Sequence, residues 1–201
     1  MIKTIIFDIG GVITRTNFNA IYYNFAKRVG LTPEFVTQYF ESNLVDMLLG
    51  NITLQKTWDE MISAGADKNL NLQNIWTEEG LKIREMNEEL LNKVKELRKS
   101  YSVGVLTNLS PARLLLDEKI NLYSYFDYAV LSCKEHVMKP DPASYLLSLK
   151  VAGVGPNEAI FIDNEDEYIE GAQSVGIPSI LYKYPENLEL AESLSQLGVN
   201  I

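Results

Sequence analysis

Five short runs of apolar residues, rich in β-branched side chains, recur along the chain. They show no alternation of polar and apolar positions, which is typical of parallel strands that are buried on both faces of a sheet. The predicted strands are Thr4–Phe7, Val103–Leu106, Tyr128–Leu131, Ala159–Ile162 and Ser179–Tyr182. Helical periodicity fills most of the intervals between the later strands, at Glu89–Lys99, Pro111–Ile120, Pro142–Ala152 and Asp166–Val175. Strands that alternate with helices of this length predict an α/β fold with a parallel sheet covered on both sides.

The segment between the first two predicted strands is too long for an ordinary crossover. Residues 17–86 contain helical stretches such as FNAIYYNFAKRVG and LQKTWDEMISAG, and no convincing strand. A parallel crossover needs only about a dozen residues. We therefore expect residues 17–86 to form an inserted all-helical domain, and residues 1–16 and 87–201 to form the core.

Composition and charge restrict the class of protein without changing this picture. The chain has 201 residues, of which 46% are hydrophobic, and a net charge of −9. Its basic residues are scattered, which argues against a nucleic-acid partner or an acidic membrane surface. A single cysteine excludes an intrachain disulfide, and no apolar run approaches the roughly 20 residues that cross a bilayer. We expect a soluble cytoplasmic protein that is a monomer or a homodimer.

Polar side chains follow several of the predicted strands. They are Asp8 after the first strand, Thr107 and Asn108 after the second, Lys139 in the loop beyond the third, and Asp163 after the fourth. Ligands bind beyond the carboxyl ends of parallel strands, so these residues are predicted to converge on one crevice. Each has an ordinary explanation by itself, as a turn former, a β residue or a surface lysine. The combination is more informative, because two buried carboxylates close together are costly unless a cation lies between them.

The stretches that carry these residues resemble, in order, the four motifs of the haloacid dehalogenase superfamily, whose members are mostly phosphatases. They read FDIGGVI, VLTN, MKPDP and FIDNEDE. The resemblance covers the whole chain, and residues 17–86 resemble the helical C1-type cap of that family. It implies a Rossmann-like parallel sheet core with an inserted all-helical cap domain. DIGGV, TNLS and the Lys-Pro-Asp-Pro run are also similar to glucose-1-phosphate phosphatase-like members and to the N-terminal phosphatase domain of epoxide hydrolases.

The resemblance implies catalytic and substrate-binding roles. Asp8 would be the nucleophile that forms an aspartyl-phosphate, and Lys139 would neutralise charge and keep Asp8 ionised. Gly11 would donate its main-chain N–H to a phosphoryl oxygen, as would its neighbour Gly10. The side chains of Thr107 and Asn108 would complete the phosphoryl site. The substrate would be a small phosphorylated metabolite, such as a sugar phosphate.

The resemblance also implies a Mg²⁺ cofactor. Its ligands would be the carboxylates of Asp8 and Asp163 and the main-chain carbonyl of Gly10, a set of hard oxygen donors. Asn164 stands where the family often has another aspartate, and Glu167 lies at a spacing that the family uses to contact a metal-bound water. Either residue is therefore a candidate for that contact.

One departure from the family pattern leaves three functions open. Position 10 usually carries an aspartate that acts as general acid and base, and here it is glycine. Glycine occurs there in glucose-1-phosphate-like members, and it favours leaving groups that depart with little protonation. The alternatives are a metal-independent 2-haloacid dehalogenase, which also lacks this acid, and a weakened member that acts as a binding module. Acidic Asp163 and Glu167 favour the Mg²⁺-dependent phosphatase, because a divalent ion needs such ligands.

Overall fold

The computed structural model describes residues 1–183 and 190–199. The strands are β1 (Thr4–Phe7), β2 (Thr14–Thr16), β3 (Arg84–Met86), β4 (Ser102–Thr107), β5 (Tyr128–Leu131), β6 (Ala159–Asp163) and β7 (Ser179–Leu181). The helices are α1 (Phe18–Val29), α2 (Pro33–Ser42), α3 (Leu44–Leu48), α4 (Leu54–Ser63), α5 (Leu72–Lys82), α6 (Glu88–Leu97), α7 (Pro111–Lys119), α8 (Ser132–Glu135), α9 (Pro142–Ala152), α10 (Asp166–Ser174) and α11 (Leu190–Gln196). Within the described ranges, no helix has the length and apolar character that a membrane span requires.

The central sheet has five parallel strands in the order β5-β4-β1-β6-β7. Alternate residues of β1 enter different cores, with Ile5 and Phe7 in one cluster and Ile6 in the other. This burial on both faces explains why the strands carry no polar alternation. The predicted α/β sheet is confirmed, and the predicted strand ends agree with the structure to within one residue.

Local sequence signals set the starts of the helices that surround the sheet. The Ser110 side chain accepts a hydrogen bond from the Arg113 N–H, and Asp141 accepts one from Ala143, each just before a proline at the first helical position. These are favourable N-cap arrangements. The helices of the insert use the same device, with caps at Asn17, Thr32, Thr53 and Asn71.

Helices α1–α5, which we call the helical insert, pack around an aromatic cluster. Its rings belong to Tyr22, Phe25, Phe40, Trp58 and Trp76. The Trp76 indole N–H donates a hydrogen bond of 2.8 Å to the carbonyl of Ala112, which belongs to α7 of the core. The insert is therefore packed against α7, the helix that begins beside the carboxyl end of β4.

The expectation that residues 17–86 contain no strand is wrong at the end of that segment. Residues 84–86 form β3, which pairs antiparallel with β2 and places Arg84 opposite Thr16. The two strands carry the chain into and out of the helical insert. Three residues with mixed polarity are too short to give a period-2 signal, so the pattern could not reveal β3.

Candidate active site

Two carboxylates meet where the strand order of the central sheet reverses. The chain leaves β1 toward β4 on one side and leaves β6 toward β7 on the other, so the crevice between β1 and β6 is a topological switch point. Asp8 follows β1 and Asp163 ends β6. The Lys139 ammonium donates to Asp8 Oδ1 at 2.7 Å and to Asp163 Oδ2 at 2.5 Å. The sequence prediction that Asp8, Lys139 and Asp163 converge is thus realised in the structure.

The triad formed by Asp8, Lys139 and Asp163 is buried and has one more negative charge than positive charge. The side chains of Lys139 and Asp163 are fully buried and that of Asp8 is 8% exposed. Burial and the nearby Asp8 raise the pKa of Asp163 to about 6, although Lys139 acts in the opposite direction. Burial by itself would lower the pKa of Lys139, but the two carboxylates outweigh it and raise that pKa. Lys139 thus neutralises part of the charge of the two acids, and two carboxylates with one ammonium leave a formal charge of −1.

Asn108 holds the main chain of Lys139 in place. Its Oδ1 accepts the Lys139 N–H at 2.8 Å, and its Nδ2 donates to the Lys139 carbonyl at 2.8 Å and to the Tyr168 hydroxyl at 3.2 Å. The Tyr168 ring centroid lies 4.7 Å from the Lys139 ammonium, within cation–π range. The Asn108 amide thus contacts Lys139 and Tyr168, and Asn108 also lines the cleft described below, so the predicted contact with phosphoryl oxygens stays a prediction.

The main-chain N–H of Gly11, which was predicted to bind a phosphoryl oxygen, has an acceptor within the chain. It donates to the Thr14 carbonyl at 2.7 Å, so it is not free to bind a phosphoryl oxygen. Gly11 has φ of 83°, and a Cβ there would lie 2.6 Å from the Asn164 side chain. The position thus needs glycine for its backbone shape and for the close approach of Asn164. Gly10, by contrast, is exposed and its N–H has no acceptor among the described residues.

The triad opens into a cleft made of two overlapping cavities. The Asp8 cavity has a volume of about 270 Å³ and is also lined by Leu44 and Leu48 of the helical insert and by Glu167. The arginine cavity has a volume of about 350 Å³ and contains Arg15, Arg84 and Arg113. Residues lining both cavities are Gly10, Thr107, Asn108, Arg113, Asn164 and Glu165. The Thr107 hydroxyl makes no hydrogen bond with the part of the chain that the structure describes, and this leaves it available to a ligand.

The residues predicted to hold a metal fit a hard divalent cation through oxygen atoms alone. No group of three His, Cys, Asp or Glu side chains suited to a metal occurs within the described ranges. The predicted set contains only two carboxylates, with a main-chain carbonyl as its third donor. Asp8 Oδ2 lies 3.9 Å from the Cβ position of Gly10, so Asp8 and Gly10 are adjacent. Oxygen donors and a residual charge of −1 suit Mg²⁺.

The two candidates for a metal-water contact differ in their surroundings. Asn164 packs against Gly11, and its Nδ2 donates to Glu165 Oε1 at 2.6 Å. Glu167 is exposed and lines the Asp8 cavity. The contact itself stays a prediction for both residues.

Several cleft residues were missed by sequence reasoning. Asp117 is buried, forms an ion pair with Arg84, and accepts a hydrogen bond of 2.5 Å from the Tyr123 hydroxyl. Burial raises the pKa of Asp117 although Arg84 and Tyr123 lower it. Arg84 and Asp117 are 33 positions apart, so no local pattern joins them. Arg113 lies in the first turn of α7, three residues after its N-cap Ser110, and sequence reasoning did not mark it as a cleft residue.

Comparison with known proteins agrees with this geometry. The model of the haloacid dehalogenase-like hydrolase family matches residues 2–176. This chain belongs to that family. The bifunctional epoxide hydrolase 2 of Sus scrofa is 22% identical over 208 residues, which cover 90% of this chain and 36% of the relative. Flavin mononucleotide hydrolase 1 of Arabidopsis thaliana is 29% identical over 101 residues, which cover 50% of this chain and 40% of the relative. The chain thus spans well under half of the length of either relative.

A solved structure shares the fold over almost the entire chain. It is a HAD family enzyme from Bacteroides thetaiotaomicron in complex with magnesium and inorganic phosphate. The TM-score is 0.78 at 22% identity, and the match covers 94% of this chain and 98% of the other.

Proposed function

We propose that this chain is a Mg²⁺-dependent phosphatase that hydrolyses a small phosphorylated metabolite through a phosphoryl group carried on Asp8. The observation that supports this most directly is the Lys139 ammonium bound between Asp8 and Asp163 at the switch point of the sheet. The arrangement fixes one carboxylate at the edge of a cleft and leaves one negative charge. The names of the relatives point the same way, since one hydrolyses flavin mononucleotide and a solved neighbour binds magnesium and phosphate.

The proposed reaction has two displacements at phosphorus. An oxygen of Asp8 attacks the phosphorus atom, a new oxygen–phosphorus bond forms, and the bond to the leaving alcohol breaks with its electron pair on the leaving oxygen. Water then attacks the phosphorus of the aspartyl-phosphate, and the bond between phosphorus and the Asp8 oxygen breaks with its electron pair on Asp8, which restores the carboxylate and releases inorganic phosphate. The water gives up one proton to solvent, and the leaving oxygen of the first step takes one from solvent. Splitting one difficult displacement into two easier steps is the benefit of a covalent nucleophile.

The surrounding groups each have a task in this scheme. The Lys139 ammonium holds Asp8 in place through an ion pair of 2.7 Å. The free Thr107 hydroxyl and the unpaired N–H of Gly10 donate to phosphoryl oxygens where charge accumulates. Mg²⁺ would be held by Asp8, Asp163 and the Gly10 carbonyl, and when bound it supplies positive charge that neutralises the transferring group.

The test is phosphate release from p-nitrophenyl phosphate by protein freed of metal with a chelator, with and without added Mg²⁺. We expect turnover only with Mg²⁺, and none in Asp163→Asn with or without the ion. Asp166→Asn is the matched control, because its carboxylate lies three residues further on and its side chain is 74% exposed. Mg²⁺ should also raise the melting temperature of the wild type and of Asp166→Asn, but not that of Asp163→Asn.

Other outcomes would contradict the proposal in different ways. Metal-independent release of chloride from 2-chloropropionate, without phosphate release, would make the chain a 2-haloacid dehalogenase. Absence of both activities across a panel of phosphorylated metabolites would favour a binding module. Turnover that a chelator leaves unchanged would remove Mg²⁺ from the scheme while keeping the phosphatase.

A further inference from the structure

The arginines of this chain are concentrated in the cleft. The chain has five arginines and a net charge of −9, and three of the five, Arg15, Arg84 and Arg113, line the arginine cavity. No lysine lines either cavity of the cleft within the described ranges. The chain as a whole repels anions because it is acidic. Three guanidinium groups in one cavity create a local positive potential that attracts an anion there.

Arg84 has a hydrogen-bond donor without an acceptor. Its side chain is 5% exposed and is ion-paired to Asp117 through a terminal nitrogen. Its Nε is buried and has no hydrogen-bond partner among the described residues. A buried donor that stays unpaired is rare and costs free energy, so it calls for an explanation. A ligand in the arginine cavity can provide the missing acceptor.

Arg113 supplies charge that no carboxylate neutralises. It lines both the Asp8 cavity and the arginine cavity, and its guanidinium carbon lies 3.8 Å from the ring centroid of Phe18. No ion pair involving Arg113 exists in the described part of the chain, whereas Arg84 is balanced by Asp117. A planar guanidinium stacked on an aromatic ring is pre-oriented to hold a carboxylate or a phosphate through two parallel hydrogen bonds.

We propose that the arginine cavity is a second anion-binding subsite, formed by Arg113 and Arg84, which binds an acidic group of the substrate other than the phosphoryl group that is transferred. This inference rests on the proposed phosphatase function. It narrows the substrate to small molecules that carry a phosphate at one end and a second anion at the other. The second anion is a carboxylate or another phosphate, because both offer the paired oxygens that a guanidinium recognises.

Three compounds of matched length test this subsite and distinguish the two anions. They are 3-hydroxypropyl phosphate, its carboxylic acid counterpart 3-phosphooxypropanoate, and propane-1,3-diyl bisphosphate. Their dissociation constants are measured by calorimetry in Mg²⁺ with the Asp8→Asn variant, which lacks the nucleophile but keeps a side-chain oxygen at position 8 for the metal. At least one of the two anionic compounds should bind about tenfold more tightly than the neutral one, as expected for one charge-assisted pair at a partly exposed site. The tighter of the two identifies the second anion.

Variants of the arginines provide the decisive comparison. Arg113→Gln should remove the preference for the anionic compounds while changing the affinity for 3-hydroxypropyl phosphate little. Arg84→Gln combined with Asp117→Asn removes both charges of the buried pair, so it avoids an unpaired acid and should also reduce the preference. Arg98→Gln is the control and should keep it, because Arg98 pairs with Asp127 and does not line the cleft.

The subsite is overturned if all three compounds bind equally, or if Arg113→Gln weakens all three alike. The second result would mean that Arg113 binds the transferring phosphoryl group instead. Phosphate release from p-nitrophenyl phosphate by the wild type is recorded in parallel. Turnover together with equal binding refutes the subsite and leaves the phosphatase intact. Absence of turnover on every phosphorylated compound refutes the proposed function, whatever the binding data show.

Discussion

Lys139 is the residue on which the charge balance of the site depends. It is fully buried, yet it is an ammonium group held by Asp8 and Asp163 and seated on Tyr168. Removal of Lys139 would leave two buried carboxylates without a compensating charge, whereas removal of one carboxylate would leave a balanced pair. The effect of a substitution on stability therefore depends on the charges that remain buried.

Asp8→Asn and Lys139→Met should therefore separate catalysis from stability. Asp8→Asn leaves one carboxylate and one ammonium, so we expect turnover to disappear while the free energy of unfolding stays close to that of the wild type. Lys139→Met leaves two facing carboxylates, and we expect a loss of about 3–5 kcal/mol of stability as well as of activity. Urea denaturation in chelator and phosphate release in Mg²⁺ measure the two effects. Equal stability of Lys139→Met and the wild type would contradict this charge balance.

The order of the motifs allowed three site residues to be predicted, but not the partners of every side chain. Asp8 and Asp163 directly follow apolar strands, and the parallel pattern alone brings such positions to one edge of a sheet. The hydrogen-bond partners of Asn108 could not be predicted in this way. Its side chain binds the main chain of a residue 31 positions away, and strand patterns contain no information about that loop.

At the scale of elements, the loop between β1 and β2 sets the shape of the site. Asp8 leaves β1, Gly11 turns the chain with φ of 83°, and β2 then pairs with β3 at the base of the helical insert. The two glycines of this loop have different structural requirements. Gly11 is required by the backbone, whereas a Cβ at Gly10 would meet only Asp8 Oδ2, at 3.9 Å.

Alanine at each glycine should reveal this difference. Gly11→Ala places a side chain in the left-handed region and against Asn164, and we expect it to lower the free energy of unfolding by about 1–2 kcal/mol or more. Gly10→Ala is the matched control and should change stability by no more than about 0.5 kcal/mol. Chemical denaturation of the two variants in chelator measures both. A larger loss from Gly10→Ala than from Gly11→Ala would show that the assignment of the two positions is reversed.

At the scale of the whole molecule, the hydrophobic pattern predicted most of the architecture. The reason is that the buried core is built largely from the apolar runs that form the central strands. The pattern fails where that signal is short or absent. Strand β3 has three residues of mixed polarity, and the four-residue α8 has no periodicity to detect. The ion pair between Arg84 and Asp117 joins β3 to α7, and such long-range polar contacts depend on the completed fold. The predicted strand Ser179–Tyr182 is confirmed up to Leu181, and residues 184–189 and 200–201 lie outside the described part of the chain.

A leaving alcohol needs a proton, and the acid that would donate it is missing at position 10. The helical insert does not supply a replacement. Among the described residues it contributes only Phe18, Leu44 and Leu48 to the lining of the cleft. His136 is exposed, and its Nδ1 lies 2.7 Å from the carbonyl of Leu49 rather than in either cavity. The carboxylates of the cleft belong to the core, and Asp117 among them is engaged by Arg84 and Tyr123.

We therefore expect the rate of the chemical step to fall steeply as the pKa of the leaving alcohol rises. Aryl, acyl and anomeric phosphates should react faster than alkyl phosphates, because a general acid worth about 10²–10⁴-fold is missing. Gly10→Asp should flatten the plot of log rate against leaving-group pKa, since position 10 is exposed and its backbone is not left-handed. Gly10→Asn has nearly the same size without the acid, so it should keep the steep slope. A flat slope in the wild type, measured by single-turnover kinetics, would mean that a core residue such as Glu165 already donates the proton.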